Sequence, residues 1–170
     1  MLLLLGHILA AFYTQTAKTA EKKKEKVSWV FFHGLLYYFT LAVVSIPVIS
    51  IDILILDTVA SMLHLIVDIS KFVVYKRKKK ENAAMFVTDQ ILHIMCLAAL
   101  SYIWTKNNIP INEIPIVMDF FITTEVSELL ICKWILGILI VHKPANILIQ
   151  NLIGPYKPKL AKGEIKPKDN

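Results

Sequence analysis

A chain of 170 residues with 56% hydrophobic residues and a mean hydropathy of +0.58 is too apolar for a water-soluble domain, and its length suits a single membrane domain. The net charge of +6 does not point to nucleic acid, because the lysines fall in blocks beside apolar runs and no basic, aromatic-interleaved soluble domain is present. The two cysteines, Cys96 and Cys132, lie inside apolar runs and form no CxxC pair, which argues against a disulfide framework or a zinc-thiolate site.

The first apolar segment runs from Leu2 to Lys18. It lacks a basic stretch before its leucines, carries His7 within the run and is followed by lysines, so it reads as a retained helix rather than a cleaved signal. Its length makes it a short or re-entrant membrane helix, with His7, Ala11, Thr14 and Lys18 along one face. The block from Glu21 to Lys26 reads as a solvated linker or a continuing helix end. Segment two, Val27 to Ile49, is long enough to span and closes near Pro47; His33 within it reads as a packed or interfacial histidine.

Segment three, Asp52 to Tyr75, carries the most informative pattern. Asp57, Ser61, His64, Asp68 and Lys71 recur at helical spacing and form one polar stripe inside an apolar run, ending at the basic block Lys76 to Lys80. Segment four, Ala84 to Trp104, places Asp89 and His93 one turn apart on one face, with Cys96 beyond them. Breakers between Thr105 and Pro115 form a loop, and segment five is expected from Ile116 to Val141. The expected architecture is therefore an all-α integral membrane bundle of about five helices over residues 1–143. Residues 144–170 are expected to form an interfacial segment and a disordered cytoplasmic tail.

The basic blocks at Lys18 to Lys26, Lys76 to Lys80 and after Lys143 all belong on the cytoplasmic side, and alternating crossings satisfy the three together. At 1.5 Å per residue, Asp68 and Asp89 then lie about 12 to 13 Å from their basic blocks, with His64 and His93 one turn deeper. The order His-then-Asp in one segment and Asp-then-His in the next matches levels on antiparallel helices. Ionisable groups at such depth are costly without partners. His7, His64, Asp68, Asp89 and His93 thus form a candidate ligand set for one divalent metal such as zinc.

The run Gly6 to Thr16, the lysines after it, His33, His64-Leu65-Ile66-Val67-Asp68-Ile69-Ser70-Lys71 and Asp89-Gln90-Ile91-Leu92-His93 together resemble a bacterial multi-pass family classed as a domain of unknown function. In that family the first motif reads His-x-x-x-Asp-Phe-x-x-Gln; this chain has Ala11 at the aspartate position and Gln15 at the glutamine. The resemblance implies the membrane fold and the polar site, placed in the bacterial cytoplasmic membrane, and implies no particular reaction.

Three functions fit this pattern. The first is metal-dependent hydrolysis of a lipid or lipid-linked phosphate from the cytoplasmic side, with Lys71 neutralising anionic charge and Gln15 and Gln90 orienting water or substrate. The second is proton or metal transport or sensing through the same groups, in which case a homo-oligomer is needed for room to alternate access. The third is a non-catalytic scaffold whose polar residues hold helices in register. The expected partners are the lipid bilayer, a lipid substrate and a second copy of the chain, not nucleic acid.

Overall fold

The computed structural model describes residues 1–78 and 83–153. Among these the chain is helical throughout: α1 (Leu2–Ile8), widened over Leu9–Thr14 into a π-helical turn, then α2 (Ala17–Glu25), α3 (Val27–Val44), α4 (Ile51–Lys78), α5 (Ala83–Lys106), α6 (Pro115–Thr124), α7 (Glu128–His142) and α8 (Pro144–Ile153). Four stretches are long and apolar enough to cross a membrane: α3, α4, α5 and the combined Glu128–Ile153; Leu2–Thr14 is a shorter apolar helix. The protein is a helical membrane protein.

Local chemistry sets the boundaries. The Thr16 hydroxyl accepts from the Thr19 N–H and caps α2, whose last turn carries Lys22, Lys23 and Lys24 where the helix dipole favours cations. A single 3-10 turn at Ile46–Val48, containing Pro47, follows α3, and the Ser50 hydroxyl caps α4 by accepting from Ile53 N–H at 3.2 Å. Pro115 opens α6, as its missing N–H permits, and the Ile114 N–H donates to the Pro47 carbonyl at 3.0 Å, tying α6 to the α3–α4 corner.

Two glycines allow the close approaches that assemble the site. A side chain at Gly34 would stand 3.1 Å from Leu65 Cδ1, so α3 packs tightly on α4 one residue from His33 and one from His64. Gly6, next to His7, faces Leu41 so closely that a β-carbon there would collide with the Leu41 side chain. Small residues at membrane helix crossings do this generally. Around them Ala10, Tyr37, Leu41, Leu56, Ala60 and Leu97 form the buried core.

Segment five departs from the sequence expectation. The helix expected from Ile116 to Val141 is broken in two at Glu125, whose φ of 55° is left-handed, and the apolar span runs instead from Glu128 to Ile153. The segment expected at the interface forms α8, whose partly buried Ile147 packs against Ile8, Phe12 and Leu136 in a second apolar cluster. The expected disordered tail falls on residues 154–170, outside the described residues, as do Lys79 and Lys80 of the basic block. Lys23 on α2, Lys71 near the C-terminal end of α4 and Lys143 after α7 lie at one end of the bundle. Lys23 and Lys71 there reach Asp68 and Asp89, and Lys143 sits over the Tyr13 ring at 5.4 Å.

Candidate functional site

The stripe on α4 faces inward: Asp57, Ser61, His64 and Asp68 are all buried, and Lys71 is partly so. Because α5 runs antiparallel to α4, Asp89 and His93, both buried, arrive at the levels of Asp68 and His64. The His64 and His93 rings lie 4.2 Å apart, and the His7 ring, brought by α1, lies 5.6 Å from His64 and 5.2 Å from His93. Four buried imidazoles meet there, since His33 Nε2 is 3.2 Å from His64 Nε2.

Tyr37 anchors the rings. It stacks on His64 at 3.8 Å with an interplanar angle of 15°, and its hydroxyl is 3.2 Å from His7 Nδ1. On α5, His93 Nδ1 is 2.8 Å from the Asp89 main-chain oxygen; a carbonyl only accepts, so Nδ1 carries the proton. In the neutral ring this leaves the lone pair on Nε2, which points into the interior without a hydrogen-bond partner.

Asp68 and Asp89 each carry an ammonium. Asp68 Oδ2 accepts from Lys23 at 2.6 Å and lies 3.5 Å from His64 Nε2 and 3.8 Å from His33 Nε2. Asp89 Oδ2 accepts from Lys71 at 3.1 Å and from Gln90 at 3.0 Å. Lys23 also donates to Gln15 at 3.2 Å. Burial draws the Lys23 ammonium below its ordinary pKa, opposed by the attraction of Asp68.

Donor atoms of His33, His64 and Asp68 lie within 4.8 Å of one another, and so do those of Asp68, Asp89 and His93. Either group can hold a metal ion, and Asp68 belongs to both. The nitrogen and oxygen donors match zinc-class ions. Several buried ligand-type atoms have no hydrogen-bond partner, among them His33 Nδ1, His64 Nδ1 and Asp89 Oδ1. Unpaired polar atoms at such depth are costly, and an ion is one way to satisfy them.

The cluster closes one end of a cavity of about 290 Å3. Ala11, Gln15, Lys23, Lys71 and Gln90 face it beside the histidines and aspartates, and Phe72 and Phe86 supply apolar wall. The π-helical turn over Leu9–Thr14 widens the backbone beside the cavity, a distortion frequent at functional sites. Ala11 stands in that turn, at the position where the resemblance puts an acid.

The residues assigned to the site from the sequence, His7, Gln15, His64, Asp68, Lys71, Asp89, Gln90 and His93, all come to this region. His7 borders the rings but belongs to neither metal-capable group, and His33, read from the sequence as a packed or interfacial histidine, belongs to one of them. Lys23 and Tyr37 were missed. Lys23 sat in a block that reads as solvated, and Tyr37 in a segment where aromatics are ordinary. The available signal for Tyr37 was its spacing of four residues from His33, which puts both on one face of α3.

No curated protein and no solved structure matches the chain. A match to a family described as a protein of unknown function extends over residues 1–122, which include all of α1 to α5 and every residue of the site. The chain belongs to that family, DUF3307.

Proposed function

We propose that the His/Asp cluster is a divalent-metal site of the zinc class, and that it serves hydrolysis of a lipid or lipid-linked phosphate entering from the cavity. The observation that carries this reading is the sharing of Asp68 between two ligand groups at the closed end of a cavity whose walls bear Lys23 and Lys71. His33, His64, Asp68, Asp89 and His93 hold the ion, and His7 positions His64 and Tyr37 by ring packing.

A bound divalent ion supplies Lewis acidity toward water and the phosphoryl group. The chain supplies the rest. Lys23 and Lys71 neutralise the phosphate charge, and Gln15 and Gln90 orient water or substrate through hydrogen bonds. In the net reaction a water oxygen bonds to phosphorus, the ester P–O bond breaks, and a proton ends on the departing alcohol. Clustering of the lysine-bearing ends supports placing this end of the bundle in the cytoplasm of a bacterial cell, with the C-terminus on the same side.

The test is phosphate release from phosphatidic acid vesicles by the purified full chain with added zinc. Release that is lost on chelation and in Asp89→Asn supports the reading. Absence of release from a protein that holds zinc overturns hydrolysis, and absence of zinc overturns the site.

One observation favours ion or proton movement as a second reading. Asp57 is fully buried beside Ser45, two turns from His64 on the same face as Ser61, so the polar face of α4 continues past the histidines. Proton or zinc flux into proteoliposomes that disappears in Asp57→Asn supports it; flux equal to that of empty vesicles removes it.

A further inference from the structure

Asp89 and Lys71 line two cavities. One is the inner cavity of the site, and the other is a groove of about 340 Å3 between α4 and α5. Val67, Val74 and Leu92 give the groove apolar walls, and Lys78 lies on it toward the C-terminal end of α4. Val74 and Leu92 are 40% and 43% exposed, so the groove opens outward from the bundle, where the bilayer lies.

Its chemistry changes along its length. Val67, Lys71, Val74 and Lys78 are spaced four, three and four residues apart and share one face of α4 over about 16 Å. Along α4 the lining alternates Lys78, Val74, Lys71 and Val67, with the Asp89 carboxylate beside Lys71, so both cations lie on the Lys78 side of Val67 and Leu92. Two cations on one side of an apolar end match an amphiphile with an anionic head and an acyl chain. A small soluble anion has no use for the Val67 and Leu92 end, and a neutral apolar ligand has none for two lysines.

We propose that the α4/α5 groove binds an anionic phospholipid laid along α4, its phosphate at Lys71 and Lys78 and an acyl chain against Val67 and Leu92. This deepens the lipid-phosphate reading, on which passage of the headgroup past Asp89 into the inner cavity rests. Binding in the groove does not depend on that passage. A phosphate held at Lys71 stands beside the Lys71–Asp89 ion pair, which separates groove from site.

The experiment is native mass spectrometry of the detergent-purified full chain titrated with phosphatidic acid or phosphatidylcholine, each with and without a chelator. Phosphatidic acid is expected to bind more tightly than phosphatidylcholine. Lys78→Gln should weaken it about fivefold, the effect of one lysine near an anionic headgroup. Val67→Trp, which fills the groove, should abolish the preference while zinc content stays at the wild-type level. Should Val67→Trp fail to fold, Leu92→Trp blocks the opposite wall. Equal binding of the two lipids, unchanged binding in the blocked variant, or displacement by millimolar inorganic phosphate alone overturns the proposal. Because the titration is repeated in chelator, lipid binding that survives loss of the metal separates this proposal from failure of the metal site.

Discussion

The central helix α4 and the C-terminal span use apolar sequence in opposite ways. In α4, 39% of the most apolar window is buried, whereas in the C-terminal span Glu128–Ile153 the figure is 6%. The first turns histidine and aspartate inward against α1, α3 and α5. The second leaves Trp134, Ile138 and Val141 largely exposed, each at 65% or more. Exposure of that kind is ordinary for a helix solvated by lipid, where apolar side chains have no reason to hide. Among the four stretches long enough to span, the most enclosed, α4, also carries the most ionisable groups.

Substitutions that break this contrast should differ in size accordingly. The largest effect is expected from Asp68→Ala, which leaves the Lys23 ammonium without its carboxylate. Loss of one partner from a buried pair costs about 3 to 5 kcal/mol, read as denaturant unfolding in detergent. Replacing both partners, as Asp68→Leu with Lys23→Met, should recover much of that loss; a double variant no better than the single would show that the pair is not coupled.

Gly6→Ala comes next. The new methyl meets the Leu41 side chain at the α1–α3 crossing, and overpacking of this kind costs about 1 to 3 kcal/mol. Tyr37→Phe keeps the stack on His64 and removes the hydroxyl facing His7, so a loss of about 1 kcal/mol is expected. At the far end of the scale, Trp134→Ala on the exposed face of α7 should change stability by less than about 0.5 kcal/mol. A large loss there would mean that the C-terminal span is covered by protein rather than lipid.

Much of the site was legible because helical spacing carries it. His64 and Asp68, and Asp89 and His93, are each four residues apart, and antiparallel packing is enough to bring the two pairs to one level. What the pattern does not carry is the contribution of α2 and α3. Lys23 reaches Asp68 only because α2 folds back over the end of α4, and His33 meets His64 only because Gly34 allows α3 to approach. Those are properties of helix crossings, which a single apolar face does not encode. The break at Glu125 was hidden for a similar reason: no glycine or proline marks it, and the left-handed residue is a glutamate.

Ala11 offers a way to sharpen the contrast at the site itself. It faces the same cavity as Asp68 and Asp89 from the π-helical turn, so Ala11→Asp adds a third carboxylate there. Tighter zinc binding than wild type, measured by competition with a chromogenic chelator, is the expected outcome; unchanged affinity would place position 11 outside the coordination sphere.

The most direct test of the central claim is elemental analysis of the full chain purified without chelator, beside Asp68→Asn, which preserves shape and removes the shared charge. One divalent ion per chain is expected in the wild type and none in the variant, with both proteins folded. A wild-type protein that takes up no divalent ion, or a variant that holds as much as the wild type, contradicts it.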